Sequence, residues 1–517
     1  MDNYIRFKQS VKYAAERFRR FGKNSYVRLV SHIDADGISA VSIMIRALDR
    51  ENIRYSVSIV QNLTADILKA MINEEKENNG CCYDMYIFTD LGSGILSDII
   101  KILSGKKVVI LDHHEIDPLF DADSYSKYLE NKEKRDNEEK DYESLIFINP
   151  LLFGIEGSKE ISASGVAYLF AQEIDEKNKD MSHIAVIGAI GDVQEKKGFS
   201  RLNVEILQAA IESGLIKAEK NLRVFGSQTR PIHKILEYST DPYIPGVTGS
   251  ESRAIEFLLQ LGINPKKGNE WKKLNDLTEE EMKRLIAGVI MKRKEENDPD
   301  DVIGHHYILT NEKEGSPLRD AKEFATLLNA FGRLGKASIG ISICLGDEKA
   351  KQKALQQQAE YKKEILTALN WYKEKISEIE REKIGGKKTE KREYENSHII
   401  KGDNYIIINA KENIMHTIIG TLASMITKSN ELKEGTFVVG MARDLSNNTK
   451  MTKVSLRVAG KSNVDLAEIM SNAVQKVGGE YGGHANAAGG LIKTEYECAF
   501  IESVIKIFEE KIRITEE

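Results

Sequence analysis

The run Ser31-His32-Ile33-Asp34-Ala35-Asp36-Gly37 constrains this chain more than any other stretch. Residues 26–30 before it are rich in β-formers and read as a short strand. Residues 38–50 after it carry Val41, Ile45 and Leu48 at helical spacing. One imidazole and two carboxylates therefore occupy a turn at the carboxyl end of a strand. That is the edge where open α/β sheets bind ligands. Oxygen and nitrogen donors of this kind suit Mn2+ or Mg2+ better than a thiolate-seeking metal. A plainer reading fits the same residues: Asp34 and Asp36 cap the following helix, and His32 ends a strand.

The next stretch of chain repeats the pattern. Strands are expected at 55–60, 85–89 and 107–111, with helices at 64–77 and 95–103 between them. Such a βα run predicts an α/β fold with a parallel sheet and helices on its faces. The third strand ends in Thr89-Asp90-Leu91-Gly92-Ser93-Gly94, and the fourth in Leu111-Asp112-His113-His114-Glu115. Carboxylates and imidazoles thus leave three strand ends on one rim. A helix over 183–190 ends in Gly191-Asp192, which is either turn chemistry or a further ligand. Ser162 or Ser164 is placed to cap a helix opening at 161–165.

A length of 517 residues predicts roughly two to four domains. Charged residues make up 30% of the chain, and no apolar run reaches membrane-spanning length, so no membrane association is expected. The polar start Met1-Asp2-Asn3-Tyr4 lacks a signal-peptide core, and the four cysteines fit no zinc spacing. A cytoplasmic location is the expectation. Residues 1–28 carry eight Lys/Arg against Asp2 and Glu16. They form either a solvated helix face over 4–21 or a surface that tracks phosphates.

Residues 121–145 read as an exposed polar insertion. Residues 200–300 are mainly helical, with amphipathic stretches at 252–261 and 278–292. A strand near 307–310 and a helix over 321–331 follow, then a long charged helix over 347–382 and a linker at 385–392. The last block shows strands at 405–408, 436–441 and 452–457 and helices at 417–427 and 465–476. It ends in a stretch with six glycines around His484, read as a loop whose backbone N–H groups can close on an anion.

In order and combination these motifs resemble the DHH phosphoesterase superfamily, and within it the RecJ-like single-strand exonucleases of archaeal, GINS-associated type. The resemblance rests on His32-x-Asp34-x-Asp36-Gly37, on Asp90, on Asp112-His113-His114, on Asp192 and on the glycine stretch around His484. Val454-Ser455-Leu456-Arg457 is similar to the strand of the DHH-associated domain whose Arg holds phosphate. The resemblance implies a parallel-sheet DHH domain over 1–240, a mainly helical insertion with a connecting long helix over 241–395, and a smaller α/β DHH-associated domain over 396–517, with a cleft between the lobes. It implies two metal ions, Mn2+ with Mg2+ as the alternative. Asp90 would bridge them, His32 and Asp34 would complete one, and Asp36, His113 and Asp192 the other. Two cations about 3.5–4 Å apart can hold both the attacking and the leaving oxygen of a phosphodiester. Asp112 would orient a ligand histidine, and His114 would face the scissile phosphate. Arg457, Gly482, Gly483 and His484 would bind substrate. Leu327 to Gly335 is also similar to an archaeal RecJ signature, in which Asn329 or Arg333 either touches substrate or closes a helix.

The implied activity is metal-dependent exonucleolytic hydrolysis of single-stranded nucleic acid, DNA favoured, in replication or repair. Two alternatives stand beside it. One is a structural component of a GINS–MCM replication complex, like the helicase subunit of this superfamily whose metal site is degraded. The other is a small phosphodiesterase acting on oligoribonucleotides or cyclic dinucleotides. The intact ligand set favours an enzyme. Implied partners are single-stranded nucleic acid, GINS and the replicative helicase.

Overall fold

The computed structural model describes residues 2–22, 25–77, 82–130, 142–196, 198–239, 241–296, 298–384, 397–428, 432–445, 450–460, 464–484 and 487–516. The polar segment 131–141 and the linker expected at 385–392 lie outside the described residues. The chain divides into two compact units, Met1–Gln357 and Gln358–Glu517.

In the first unit, five strands form a wholly parallel sheet: β1 (Tyr26–His32), β2 (Arg54–Val60), β3 (Met85–Thr89), β4 (Lys107–Leu111) and β5 (Leu145–Ile148). Their order is β2-β1-β3-β4-β5. Every residue of β3 and β5 is buried, as expected of parallel strands with both faces covered. The chain leaves β1 toward β2 on one side and resumes at β3 on the other. The carboxyl ends of β1 and β3 therefore flank a topological switch point. Register then decides what stands there. Ser31, Thr89, Leu111 and Ile148 align across the sheet. The next residue on each strand or just beyond it, His32, Asp90, Asp112 and Asn149, steps off the same rim.

One expectation for this unit is corrected. Residues 121–145 are not one exposed insertion: Ala122–Glu130 is a helix and Leu145–Ile148 is the fifth strand. Tyr125 and Leu129, four apart on that helix, are both buried. The Tyr125 hydroxyl accepts from Phe147 N at 2.8 Å, and the surrounding charged residues hide this apolar pair in the sequence. Part of the basic N-terminal stretch is tied down within the fold, while Lys12 and Arg20 are exposed. Arg17 donates to the carbonyls of Tyr142 and Glu143, Arg19 to that of Ile174, and Arg28 to that of Met71 and to Glu74.

The region after the sheet has several parts. Ile216–Leu222 and Ile303–Leu309 pair antiparallel, and residues between them gather a core of their own from Leu222 to Val302. The helices Ala321–Arg333 and Ala337–Cys344 instead pack into the core of the sheet domain through Phe324, Leu328, Phe331 and Ile341. No described helix is long and apolar enough to cross a membrane. Cys82 and Cys344 are free thiols.

In the second unit, six strands run in the order Ile399–Lys401, Tyr405–Asn409, Phe437–Asp444, Met451–Val458, Ala487–Lys493 and Glu480–His484. The glycine stretch expected as a loop is part of this sheet: Glu480–His484 pairs antiparallel with Ala487–Lys493. Gly479, Gly483 and Gly490 serve close strand approach. Gly483 sits at φ +130°, and a Cβ there would fall 2.4 Å from the Ala487 carbonyl oxygen.

Candidate functional site

Asp90 is the hinge of the site. It leaves β3 with φ 60°, a left-handed conformation uncommon for a residue with a side chain, and is 3% exposed. Its amide still donates to the Leu111 carbonyl at 3.1 Å, so the ladder ends as the side chain turns onto the rim. The two carboxylate oxygens face different neighbours. Oδ2 lies 3.5 Å from His32 Nδ1, and Oδ1 lies 3.5 Å from His113 Nε2 and 3.8 Å from His114 Nδ1. Two donor groups result, His32–Asp34–Asp90 and Asp90–Asp112–His113–His114, each with ligand atoms within 4.8 Å of one another, and Asp90 belongs to both.

Each neighbour is fixed by local structure. Asp34 caps the helix Ala35–Arg50, accepting from Gly37 N at 2.9 Å through Oδ1, while Oδ2 lies 2.9 Å from His32 Nδ1. The capping and metal readings of Asp34 are thus compatible, because a carboxylate has lone pairs for both. Asp36 does not cap its own helix. It is buried, and it accepts from Ala163 N at 2.7 Å and Ser164 N at 3.1 Å, the first amides of the helix Ala163–Ile174. That helix is capped by Ser162. Asp36 Oδ2 stands 3.9 Å from His113 Nε2. Asp192, at the carboxyl end of the helix Ser182–Gly191, stands 3.9 Å from His113 Nδ1.

The histidines are oriented differently from the expectation. Gly157, not Asp112, orients His113: its carbonyl oxygen accepts from Nδ1 at 2.8 Å. That bond keeps a proton on Nδ1 and turns Nε2 toward Asp90 and Asp36, so that a cation displacing the Nε2 proton would meet the tautomer a metal ligand needs. Asp112 serves His114. Its Oδ1 meets His114 Nδ1 at 2.8 Å and also accepts from His113 N, while Oδ2 accepts from Ser93 N at 3.0 Å. His114 is the partly exposed member, its side chain 44% accessible.

Sequence reading missed the residues that hold this geometry. Gln194 donates to both the Gly157 carbonyl (2.9 Å) and Asp192 Oδ2 (2.7 Å), and buried Asn203 donates to Gln194. Asn149, fully buried, donates to Ser93 Oγ and the His114 carbonyl. Asn149 alone left a signal, since it follows a strand end on the same rim.

The electrostatics are those of a cation site. Burial, then the charges of Asp34 and Asp36, push the Asp90 carboxyl up to about 7. Burial, with Asp36 and Asp34 outweighing the opposing pull of His113, pushes Asp192 up to about 6. Burial lowers the pKa of His32 and His113, but the surrounding carboxylates outweigh it and both are raised well above the ordinary value. Asp90 Oδ2 and His113 Nε2 are buried and make no hydrogen bond, and His32 Nδ1 meets only carboxylate oxygens, Asp34 Oδ2 at 2.9 Å and Asp90 Oδ2 at 3.5 Å. Such atoms are costly unless something else satisfies them. Oxygen and nitrogen donors converging on unsatisfied atoms fit Mn2+ or Mg2+.

The remaining expected residues lie in the second unit. Arg457 donates to Ser424 Oγ at 2.9 Å and to the carbonyls of Leu456 and Ala488. Lys453, two positions before Ser455, was not anticipated. Burial and the Arg457 charge push its ammonium down to about 8. The alternation Lys453-x-Ser455-x-Arg457 was the available signal. Gly482 and Gly483 lie in the strand Glu480–His484. His484 ends that strand, and its imidazole lies outside the described side chains.

Comparisons with known proteins agree with this layout. Residues 26–191 match the DHH family N-terminal domain, 224–305 the DHH-CID domain and 402–511 the DHHA1 domain. An uncharacterized protein of Methanocaldococcus jannaschii is 30% identical over 490 residues, covering 94% of each chain. Among solved structures, CDC45 from Entamoeba histolytica shares the fold at 12% identity and TM-score 0.59, over 97% of this chain and 99% of that one. RecJ from Thermus thermophilus, solved with Mn2+, matches at 15% identity and TM-score 0.49. That match covers 96% of this chain, which spans 54% of the RecJ chain.

Proposed function

Since the chain belongs to the DHH superfamily, we propose that it is a RecJ-like, metal-dependent exonuclease that hydrolyses single-stranded nucleic acid, with DNA favoured over RNA. The observation that carries this reading is Asp90, whose two oxygens face two donor groups containing buried atoms without hydrogen bonds. His32, Asp34 and Asp90 would hold one ion, and Asp90, Asp36, His113 and Asp192 the second, with Mn2+ the favoured metal. Bound divalent cations supply positive charge against the charge that builds on a phosphodiester in its transition state. The chain's own residues do the rest. Gly157 and Gln194 keep Nε2 of His113 pointed into the site. Asp112 holds His114 by Nδ1 and, against the opposing effect of burial, raises its pKa, which favours the protonated ring. His114 then serves as a proton donor or a charge beside the scissile phosphate. In the second unit, Arg457, Gly482, Gly483 and His484 would bind phosphate oxygens of the nucleic acid.

A second reading, a structural part of an assembly with GINS and the replicative helicase, draws support from the fold shared with CDC45. One experiment separates the two. Single-stranded DNA and RNA oligomers, each blocked at one end, are incubated with metal-free protein with and without Mn2+. Exonuclease function predicts mononucleotide release from the free end only when Mn2+ is added. No hydrolysis of any oligomer at saturating Mn2+ would leave the assembly reading in its place.

A further inference from the structure

Ala35 is the first residue of the helix that follows the His32–Asp34 turn, and its N–H is one of the donors a helix start leaves without an internal partner. Asp34 caps this helix through Gly37 N, not Ala35 N. The acceptor for Ala35 N is Asn329 Oδ1, at 2.9 Å, from a residue 294 positions away in the helix Ala321–Arg333. One turn further along that helix, Gly332 lies against the carbonyl of Ile33. A Cβ there would fall 1.6 Å from Ile33 O and 2.7 Å from Ile33 C, so only glycine admits this approach. The two contacts take hold of the turn between His32 and Asp36 at Ile33 and Ala35, on either side of Asp34.

The gripping helix is itself held at both ends. Leu327, Leu328 and Phe331 are buried in the core of the sheet domain. At its start, Asp320 accepts from its own first-turn amides at Lys322 and Glu323, and also from Ser227 Oγ and His306 Nδ1. Glu323 accepts from Gln228 N and Thr229 Oγ1. A rigid rod thus runs from the region around 227–229 to the turn that carries His32, Asp34 and Asp36.

We propose that Asn329 is a positioning residue for the metal centre: with Gly332 it fixes the turn so that His32 and Asp34 face Asp90. This rests on the metal-site reading above. It places Asn329 on the ligand-bearing turn and not on substrate. Outer contacts that orient metal ligands are worth roughly ten- to a hundredfold in metal affinity when removed.

The test is Mn2+ binding to metal-free, full-length protein, followed by calorimetry and by the loss of the free Mn2+ resonance, with thermal stability measured alongside without metal. Asn329→Ala is expected to weaken Mn2+ binding about tenfold. Asn329→Asp, which keeps an acceptor oxygen for Ala35 N, is expected to bind close to the parent. Should Asn329→Ala fail to fold, Asn329→Gln carries the same test, since it displaces the acceptor by one methylene. Parental Mn2+ affinity in Asn329→Ala, with only a lower melting temperature, would reduce Asn329 to a packing role and overturn the proposal. If the parent itself binds no Mn2+, the metal-site reading fails, and this inference falls with it.

Discussion

Asp90→Asn should separate stability from function, in opposite directions. The substitution keeps the shape and removes one charge from a buried cluster. In the metal-free protein the Asp90 carboxyl sits at about 7 instead of 3.8, because burial and then Asp34 and Asp36 oppose its ionisation. A carboxyl raised in the folded state carries no penalty below its unfolded pKa. The penalty builds between pH about 4 and 7 and is complete above that. A rise of this size corresponds to about 4 kcal/mol. The opposing pull of His113 and His32 is already contained in this rise, so the variant should gain stability where the penalty applies. Metal-free Asp90→Asn is therefore expected to melt higher than the parent at pH 8, with the difference vanishing toward pH 4. Mn2+ should reverse the order. A ligand at a hundred times its dissociation constant stabilises by about 2.7 kcal/mol, and the parent should gain this while the variant gains little. Hydrolysis by the variant should fall by several orders of magnitude. Thermal melts at pH 4, 6 and 8, with and without Mn2+, read all of this. A metal-free Asp90→Asn less stable than the parent at pH 8, or an equal rise of both melting temperatures with Mn2+, would overturn this role for Asp90.

Gln194→Ala removes no proposed ligand but releases Gly157 and Asp192 together, and should weaken Mn2+ binding about tenfold in titration calorimetry. Asp112→Asn should lower the pKa of His114, which Asp112 holds up, so the alkaline limb of the pH–rate profile should move to lower pH. The stability from the Asp112–His114 pair should be present below the unfolded histidine pKa of about 6.5 and be lost as pH rises through the higher folded value. That loss should be absent from pH-dependent melts of Asp112→Asn. His484→Ala should slow single-strand hydrolysis and leave Mn2+ stoichiometry unchanged, because the proposed ligands all lie between residues 32 and 192; measuring both on one preparation checks it.

The motif ends of β1, β3 and β4 were legible because a parallel strand shows in the sequence as a short apolar run, and each was followed at once by its chemistry. That these three strands lie side by side was not legible, since β2 intervenes in sequence and only the sheet order β2-β1-β3-β4-β5 removes it to the edge. Capping at Ser162 and Thr278 was local and could be read in place. The partners of His113 and Ala35 could not. One is a backbone carbonyl 44 residues away, and the other a side-chain amide across 294 residues. Such bonds depend on tertiary packing and leave no periodic trace. The role expected for Asp112 failed for the same reason, because a carboxylate beside two histidines says nothing about which ring it reaches. The glycine stretch misled in a different way. Glycine usually marks turns, but here it lets two strands pair where a side chain would collide.

Whether Asp90 is shared by two ions can be seen in crystals grown with Mn2+ and measured at the manganese edge. Two anomalous peaks are expected, one contacting Asp90 Oδ2 with His32 and Asp34, the other contacting Asp90 Oδ1 with His113. A single peak, or two peaks with Asp90 bound to neither, would rule out the shared carboxylate.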